Sequence, residues 1–376
     1  MKIGIMTFWW SEDNYGQLLQ CYALQKYLRD MGHDAYLIRY DRRRDFKLSV
    51  GRKILKASNP VKLYNFFKRK IIDRKERRDN LRDFEEFRNK HIKQSERKYY
   101  YYKELVESPP VADIYIVGSD QVWNLYGVPV NKAMNIINAY LLNFGNTAIK
   151  RISYAASFGK EKGELDNDFI NIFTLLLKNF NYVSVRERAG LDICKQCGID
   201  GAEWVPDPTI LLDADMYRSL YRDEEIIKKT DKPYCFLYLV GNEFNLSIGA
   251  IYDWARRKRM EIVYVTGNSR GDKHEKTYAT IPEWIYFLEH AEYVITNSYH
   301  CTIFSLLFRK EFAIVPLSGK SAGMNSRFDT IFQLFGIENR YISVDFSVFD
   351  RAIDWQMISN ALQNIKSSCK FNTILQ

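Results

Sequence analysis

Apolar runs and helical spacing alternate along the first part of the chain. Residues 3–9 are mostly apolar, residues 17–31 carry apolar side chains at helical spacing, and residues 35–40 are again largely apolar. The segment 10–16 between the first two is polar, and Gly32 stands where helices commonly end. The pattern therefore predicts strand, loop, helix and strand, a βαβ unit of the kind that builds parallel α/β sheets.

The same alternation resumes later and predicts an α/β protein with two domains. In the first part, strands are expected at 114–117, 152–156 and 182–185. A charged stretch at 221–233 then separates the two parts. Beyond it the pattern predicts strands at 234–240, 261–266, 293–296 and 312–315, and helices at 245–258, 281–290 and 301–308.

These elements set the predicted domain boundaries. The first α/β domain is expected at 1–222 and the second at 233–350. Helical spacing within 351–376 predicts a C-terminal helix that packs back on the first domain. A basic, aromatic-dotted insert at about 45–110 interrupts the first domain and is predicted to be helical, with the tyrosine run 99–102 in a linker.

Length and composition fit this division. A chain of 376 residues is long for a single core, and 46% hydrophobic with 27% charged residues is typical of a globular protein. No apolar run reaches the roughly 18 residues of a membrane-spanning helix. The N-terminal residues lack the separate charged, apolar and small-residue regions of a signal peptide. We therefore expect a cytoplasmic protein.

The net charge of +9 is concentrated in one segment. Residues 41–110 hold 22 Lys and Arg against 11 Asp and Glu. A solvated helical face, nucleic-acid binding and a peripheral contact with anionic lipid all fit such a segment. No zinc-finger, RNA-binding or helix-turn-helix signature accompanies it, which disfavours nucleic acid. Apolar residues among the cations favour the membrane contact over nucleic acid.

Cofactor signatures are missing from the sequence. Cys194 and Cys197 form a lone Cys-x-x-Cys, and no second Cys or His pair follows at zinc spacing. The first loop carries Asn14 and Gly16 rather than the Gly-x-Gly-x-x-Gly fingerprint of dinucleotide binding. We expect no metal and no bound cofactor. Asn14 and Gly16 suit a tight turn beside a ligand, and we predict that both bind substrate.

His300 is the first candidate for catalysis. It follows an apolar strand and the polar run Asn297-Ser298-Tyr299, a position where α/β proteins place ligand-binding loops. A helix starting near Thr302 would direct its N–H groups at an anion, and an imidazole beside that anion can move a proton. A structural histidine in a polar turn is the alternative. We predict that His300 is catalytic and that Asn297, Ser298 and Tyr299 bind substrate.

Arg186 follows another predicted strand. Its guanidinium can donate two hydrogen bonds to a carboxylate or phosphate, so we predict a catalytic role in holding an anion. A surface ion pair with Glu187 or Asp207 is the alternative. Asp207 itself precedes Pro208, which fixes a turn, and we interpret Asp207 as mostly structural.

Three further residues complete the candidate site. Gly118 allows a sharp turn after a strand, so Ser119 and Asp120 can face a ligand. Asp120 can accept a proton from a hydroxyl, although it could also cap the next helix. Arg327 follows a Gly-rich loop and can reach an anion, with a loop ion pair to Asp329 as the alternative. We predict Asp120 as catalytic and Ser119 and Arg327 as substrate-binding.

Four separated motifs, taken together, resemble the polysaccharide pyruvyltransferase family. The resemblance covers roughly residues 1–345. It implies two Rossmann-like domains facing a cleft, the glycosyltransferase-B-like arrangement. It also implies a transfer of the pyruvyl group of phosphoenolpyruvate, as co-substrate, onto a sugar as a ketal. The motifs are Asn14-Tyr15-Gly16-Gln17, Ile116-Val117-Gly118-Ser119-Asp120-Gln121-Val122-Trp123-Asn124, Ser184-Val185-Arg186-Glu187 with Val205-Pro206-Asp207-Pro208, and Ile295-Thr296-Asn297-Ser298-Tyr299-His300-Cys301-Thr302.

The resemblance also implies roles and partners. Arg186 matches the arginine that contacts the donor in the family. As our mechanistic hypothesis, His300 protonates the methylene carbon of the donor, and Asp120 is a candidate base. The acceptor would be a hexose of a capsule or exopolysaccharide, or of its lipid-linked precursor, which strengthens the membrane hypothesis for the basic insert. Family members commonly have Gly where this chain has Cys301, but the reaction needs no transfer through a thiol.

Two other functions stay open. A glycosyltransferase that uses a nucleotide sugar has the same two-domain scaffold and would need a carboxylate in the second domain, for which Glu283 or Glu289 are candidates. A non-catalytic glycan-binding partner is the other, although the joint presence of Arg186, Asp120 and His300 disfavours it.

Overall fold

The computed structural model describes residues 1–43, 45, 82–125, 130–159, 165, 167–267, 272–342 and 345–375. Within these ranges the chain forms two α/β halves, each built on a parallel sheet with helices packed around it. The prediction of an α/β fold with two parallel sheets is therefore confirmed.

The first half contains a five-stranded parallel sheet. Its strands are β1 (Lys2–Met6), β2 (Asp34–Tyr40), β3 (Gln94–Tyr99), β4 (Ile114–Val117) and β5 (Lys150–Ser153). They are arranged in the order β3-β2-β1-β4-β5. Two short strands, β6 (Ser184–Val185) and β7 (Glu203–Trp204), pair with each other and continue beside β5 through bridges from Ile152 and Ala156. The sheet therefore extends toward the residues around Arg186.

The second half contains a four-stranded parallel sheet. Its strands are β8 (Tyr234–Leu239), β9 (Glu261–Thr266), β10 (Tyr293–Thr296) and β11 (Glu311–Ile314), in the order β11-β10-β8-β9. All six residues of β8 are buried. This fits a parallel sheet covered on both faces, in which strands are apolar throughout rather than alternating.

Helices cover the sheets. In the first half they are α1 (Tyr15–Asp30), α2 (Phe84–His91), α3 (Tyr102–Glu107), α4 (Val130–Tyr140), α5 (Asn167–Leu177), α6 (Arg188–Gln196) and α7 (Ala214–Arg218). In the second half and the C-terminal segment they are α8 (Ile248–Arg257), α9 (Ile281–Glu289), α10 (Tyr299–Leu307), α11 (Ser326–Phe335), α12 (Trp355–Ser367) and α13 (Phe371–Ile374). In the part of the chain that the structure describes, no helix is both long enough and apolar enough to cross a bilayer.

Helix α1 lies between the two halves, and this position explains its composition. Twelve of its 16 residues are buried. The Tyr15 ring stacks on Trp284 with centroids 5.4 Å apart, and its hydroxyl donates to the carbonyl of Ala279 at 2.6 Å. Buried side chains of both halves join in one hydrophobic cluster around the helix. An all-round buried helix has little room for the polar face of a surface helix.

The basic insert is only partly described, since residues 44 and 46–81 lie outside the described ranges. In the described part the prediction of helices alone is wrong, because the chain forms strand β3 between α2 and α3. Tyr99 ends β3 and Tyr102 begins α3, so the tyrosine run is not a linker. Only Ser95 and Tyr99 of β3 are buried, and an edge strand with so few apolar residues gives no strand signal.

The C-terminal helices contact residues of the first half. Phe371 on α13 stacks on Tyr154 with ring centroids 4.5 Å apart, and Lys370 pairs with Glu203 at 2.7 Å. Lys366 on α12 pairs with Asp213. These contacts are those of a C-terminal segment packed on the first half, whereas the domain boundaries themselves stay a prediction.

Candidate active site

Polar residues from both halves meet near the carboxyl ends of the parallel strands. Ser119 and Asp120 follow β4, Arg186 follows β6 and Asp207 follows β7, whereas His300 follows β10 in the other half. This edge of a parallel sheet is where α/β proteins bind ligands. The structure thus brings residues of three separate predicted motifs to one place.

Asp207 holds this group of residues together, and its side chain is fully buried. Its Oδ2 accepts hydrogen bonds from Ser119 Oγ at 2.6 Å and from Arg186 Nη1 at 2.9 Å. The same oxygen lies 3.3 Å from His300 Nε2. Its Oδ1 accepts from the N–H and the hydroxyl of Thr209 at 3.0 and 2.8 Å, which fixes the carboxylate. We call Ser119, Arg186, Asp207 and His300 the Asp207 cluster.

The charged groups of the Asp207 cluster stabilise one another in their ionised forms. Burial alone would raise the pKa of Asp207, but His300, Arg186 and the Ser119 hydroxyl outweigh burial and hold that pKa well below its usual range. Burial likewise lowers the pKa of Arg186, yet the Asp207 carboxylate more than compensates and the pKa is raised. Asp207 is therefore an anion and Arg186 a cation near neutral pH. The ion pair considered from the sequence exists, but it is buried rather than on the surface.

The first turn of α10 positions His300. Ser298 caps this helix, and its Oγ accepts the N–H of Cys301 at 3.4 Å. The helix therefore begins at Tyr299, not near Thr302 as predicted. His300 is a helix residue whose backbone is fixed by the first turn, rather than part of a loop.

Gly16 on α1 lies directly against the His300 imidazole. A Cβ at position 16 would stand 2.2 Å from His300 Nδ1 and 2.4 Å from its Cγ. Real Cβ atoms do not approach other atoms so closely, so only glycine lets α1 and α10 come this near. Gly16 therefore sets the position of the His300 imidazole. That Gly16 also binds substrate stays a prediction.

Two arginines from different halves face the same region. The Arg186 guanidinium lies 4.8 Å from the centroid of the Tyr299 ring, a cation–π contact. Arg327, at the start of α11, donates its Nε to the carbonyl of Met324 at 3.0 Å. Burial and the nearby positive charge of Arg186 lower the pKa of Arg327 to about 10. The two cations repel each other, so an anion bound between them would stabilise both.

Three buried polar atoms at this place lack an aligned hydrogen-bond partner among the described residues. They are Arg186 Nε, Glu187 Oε2 and His300 Nε2. Buried polar groups in native proteins are nearly always hydrogen-bonded, and an exception indicates a missing ligand or water. His300 Nε2 already lies 3.3 Å from Asp207 Oδ2, whereas Arg186 Nε and Glu187 Oε2 are available to a polar ligand or to water.

Asp120 has an unusual backbone conformation. Its φ is +79°, a left-handed value that is uncommon for any residue other than glycine. Its backbone pairs with Ala156, and its Oδ1 accepts the N–H of Gln121 at 2.8 Å. Asp120 also acts electrostatically on Arg186 and Arg327, which places its carboxylate in the same site. Strained conformations of this kind cluster at functional sites.

Two other predicted residues make structural hydrogen bonds. Asn14 caps α1, where its Oδ1 accepts the N–H of Gln17 at 3.2 Å. Asn297 binds the backbone of Val240 with both amide atoms, accepting at 2.7 Å and donating at 2.8 Å. These bonds attach the two side chains to local backbone rather than to the Asp207 cluster.

Asp207 and Glu187 make more contacts than their positions in the sequence indicate. From the sequence we interpret Asp207 as mostly structural, whereas in the structure it contacts three other residues of the cluster. From the sequence Glu187 is only a possible partner of Arg186, whereas its Oε1 accepts the N–H groups of Phe158 and Gly159 at 2.6 and 3.2 Å. No local pattern in the sequence marks Asp207, which stands three positions after the two-residue strand β7.

Cys301 is fully buried beside His300. Burial raises the pKa of its thiol well above the usual range, which disfavours the thiolate that a nucleophile needs. Across the described ranges, no cluster of three or more His, Cys, Asp or Glu side chains is placed to hold a metal ion.

Comparison with known families gives one match that spans most of the chain. The model of a family described as polysaccharide pyruvyl transferase matches residues 14–319. No protein of curated function matches the sequence significantly. The matched segment contains every residue of the Asp207 cluster and also Asn14, Gly16 and Asp120.

Solved structures share the fold at low sequence identity. A structure from Listeria monocytogenes, described as a UDP-N-acetylglucosamine 2-epimerase, has 8% identity and a TM-score of 0.50, with 98% of this chain and 91% of that chain covered. A UDP-GlcNAc 2-epimerase from Methanocaldococcus jannaschii has 12% identity, a TM-score of 0.45 and coverages of 98% and 93%. An alpha-glucosyltransferase in complex with UDP and DNA has 11% identity, a TM-score of 0.47 and coverages of 100% and 100%. The first of these confirms the glycosyltransferase-B-like fold of two Rossmann-like units and shows nothing beyond the fold.

Proposed function

Because this chain belongs to the polysaccharide pyruvyl transferase family, we propose that it moves the enolpyruvyl group of phosphoenolpyruvate onto a hexose of a surface polysaccharide or its lipid-linked precursor. The product is a cyclic pyruvate ketal, and inorganic phosphate is released. The observation that carries the choice of donor is the group of unpartnered polar atoms beside Arg186 and Arg327.

The charges of the site fit phosphoenolpyruvate. The donor carries a carboxylate and a phosphate on one small carbon skeleton, and arginines bind both groups well. Arg186 has a free Nε edge, while its Nη1 is held by Asp207 and Ser119. Arg327 comes from the other half, and the positive charge of Arg186 lowers the pKa of its guanidinium. A ligand with two anionic groups neutralises both cations at once.

His300 and Asp120 supply the proton transfers in this proposal. His300 protonates the methylene carbon of the donor, which produces an oxocarbenium-like centre, and Asp207 orients the imidazole. One acceptor hydroxyl then adds to that centre, with Asp120 as its base. Phosphate leaves, and the second hydroxyl closes the ring.

The proposed acceptor bears on where the enzyme acts. A lipid-linked glycan would be met at the inner face of the membrane, and we place the enzyme in the cytoplasm at that surface. The excess of cations in residues 41–110 supports an electrostatic contact with anionic lipid. Sedimentation with anionic vesicles in low salt tests this contact, and binding no greater than to neutral vesicles would contradict it.

Thermal unfolding with phosphoenolpyruvate tests the donor. A ligand that binds only the folded state raises Tm as its concentration rises. At a hundredfold excess of ligand over Kd, the free energy of unfolding increases by about 2.7 kcal/mol. We expect this shift with phosphoenolpyruvate and its loss in Arg327→Gln. Arg256→Gln is the matched control, because Arg256 is an exposed arginine on α8 that pairs with Asp253. A shift with UDP-sugars or GDP-sugars but none with phosphoenolpyruvate would contradict the proposal.

The carboxylates considered for nucleotide-sugar binding are already engaged. Glu283 forms a capping box with Thr280 at the start of α9. Glu289 accepts hydrogen bonds from Arg218 at 2.6 Å and from the hydroxyl of Tyr221 at 2.5 Å. Both carboxylates are therefore occupied by structural contacts rather than free to bind a ribose. This supports pyruvyl transfer over glycosyl transfer.

A further inference from the structure

Glu187 has a carboxylate with one satisfied and one unsatisfied oxygen. The residue is 6% exposed and directly follows Arg186 at the end of β6. Its Oε1 accepts the backbone N–H groups of Phe158 and Gly159 at 2.6 and 3.2 Å. Its Oε2 is buried and has no hydrogen-bond partner among the described residues. The side chain is therefore fixed through one oxygen while the other is left for another molecule.

The surroundings of Glu187 belong to the proposed donor site. Its carboxylate acts electrostatically on Arg186, on Arg327 and on Tyr299, which come from three different elements. A carboxylate that served only to bind the 158–159 loop would not need to interact electrostatically with both arginines and with Tyr299. A buried acceptor without a partner also lowers the stability of the folded protein.

We propose that Glu187 is a catalytic acid whose Oε2 donates a proton to the phosphate leaving group. This inference rests on the proposed phosphoenolpyruvate donor. The bridging oxygen of an enol phosphate leaves more easily when it is protonated, since the departing dianion then carries its proton. Arg186 and Arg327 hold the anionic groups of the donor, and neither guanidinium readily gives up a proton.

The proton balance of the reaction is consistent with such a group. Each turnover takes two hydroxyl protons from the acceptor. The first passes to Asp120 and balances the proton that His300 gives to the new methyl group, and both side chains return to their starting states by proton exchange with solvent. The other leaves on inorganic phosphate as the C–O bond breaks and its electron pair goes to the phosphate oxygen. In our proposal Glu187 gives this second proton and regains it from the second acceptor hydroxyl as the ketal ring closes.

The electrostatics agree with a proton-carrying Glu187. Burial raises the pKa of Glu187 against the lowering effects of Arg186, of the nearby Ser157 hydroxyl and of the N–H groups of Phe158 and Gly159. Among the described residues, Arg327 on α11, Tyr299 on α10 and Cys194 on α6 also interact electrostatically with it. A raised pKa keeps part of the population protonated at a higher pH than an ordinary glutamate.

The test compares Glu187→Gln with the wild type and with Glu203→Gln. Glutamine keeps an oxygen for the N–H groups of Phe158 and Gly159 but has no acidic proton. Glu203 lies on neighbouring β7 and pairs with Lys370, so its variant controls for the same chemical change outside the site. Each protein is given phosphoenolpyruvate and a set of methyl hexopyranosides in D2O. Phosphate release and deuterium uptake at the methylene carbon are followed by NMR.

We expect Glu187→Gln to lose phosphate release about a hundredfold while it keeps deuterium uptake and the Tm shift with phosphoenolpyruvate. In the wild type, phosphate release should fall as pH rises through the pKa of Glu187, and this limb should be absent from the variant. A variant that releases phosphate within twofold of the wild type overturns the role of Glu187. Equal loss of deuterium uptake and of the Tm shift overturns it too, because Glu187 would then only shape the donor site.

The two levels of the proposal fail in different ways. If the wild type neither gains stability from phosphoenolpyruvate nor releases phosphate from it, the proposed function is wrong, and Glu187 falls with it. If the wild type does both and Glu187→Gln is unimpaired, only the inference about Glu187 is wrong.

Discussion

At the residue scale, one buried carboxylate organises the candidate site. Asp207 receives a hydroxyl, a guanidinium and an imidazole on the same side of its side chain. Removing one partner of a buried ion pair strongly lowers the free energy of unfolding, because the remaining charge stays buried without compensation. Asp207 is therefore expected to matter for folding as well as for chemistry.

The stability due to Asp207 should depend on pH in a defined direction. Its pKa is depressed in the folded protein, so its contribution is complete above the ordinary Asp value of about 3.9 and is lost as pH falls below it. We expect Asp207→Asn to lower the free energy of unfolding by about 3 kcal/mol at pH 7. The difference from the wild type should shrink by up to about 1.4 kcal/mol per pH unit below about 3.9.

Urea unfolding at pH 7, 4 and 3 measures this dependence. Asp253→Asn is the control, since Asp253 is 59% exposed and pairs with Arg256 on the surface of α8. Its effect should be within about 0.5 kcal/mol at each pH. An Asp207→Asn penalty that stayed the same from pH 7 to pH 3 would show that Asp207 is not the ionised partner of Arg186.

At the element scale, the approach of α1 to α10 controls the imidazole. Gly16→Ala would place a Cβ 2.2 Å from His300 Nδ1, so either the ring or the helix must move. We expect phosphate release from phosphoenolpyruvate to fall at least tenfold, because small displacements of a catalytic group reduce rates strongly. The measurement is the same NMR assay, with deuterium uptake at the methylene carbon as the step that His300 performs.

Gly249→Ala is the matched control for this prediction. Gly249 lies on α8, where an added Cβ meets only Ser247 Oγ, at an ordinary 3.4 Å. Alanine there should leave activity unchanged and raise stability slightly through its helix propensity. Full activity in Gly16→Ala would mean that the imidazole position is not important for proton transfer.

The elements that the sequence predicted well share a simple physical property. Strands β4, β9 and β10 were predicted at their observed bounds, because each is largely apolar and has polar residues or turns at its ends. Strand β3 was not predicted, because an edge strand needs few buried side chains. The start of α10 was placed about three residues late, because the Ser298 cap is recognised only when the helix is known.

At the scale of the whole molecule, the two halves share one hydrophobic cluster. Tyr15 and Phe84 from the first half pack with Trp284 and Tyr238 from the second. Loss of either half would expose this apolar surface. We therefore expect the protein to unfold in a single transition rather than half by half.

Urea unfolding followed by two probes checks this expectation. Far-UV circular dichroism reports on all helices, whereas tryptophan fluorescence reports on buried Trp123 in the first half and on Trp254 and Trp284 in the second. The two curves should have the same midpoint. Separate midpoints, or a plateau between two steps, would show that the halves unfold independently.

Several residues of the candidate site can be predicted from the sequence, but the central role of Asp207 cannot. Arg186, Asp120 and His300 each follow a predicted strand, and this position alone made them candidates. Asp207 gains its role from partners 21, 88 and 93 positions away, which no local pattern records. Glu187 is a candidate only because one of its two oxygens has no partner, and that is visible only once the surrounding backbone is placed.

The position of α1 also has a consequence for how the protein is made. The hydroxyl of Tyr15 bonds to a carbonyl 264 residues further along the chain, and its ring stacks on Trp284. During translation, α1 is synthesised well before the residues of the second half that cover it, such as Trp284. At about 5–20 residues per second, that interval lasts on the order of ten seconds or more. Until the second half has been synthesised, the part of α1 that packs on Trp284 stays uncovered, and we expect the nascent first half to be bound by chaperones during this interval.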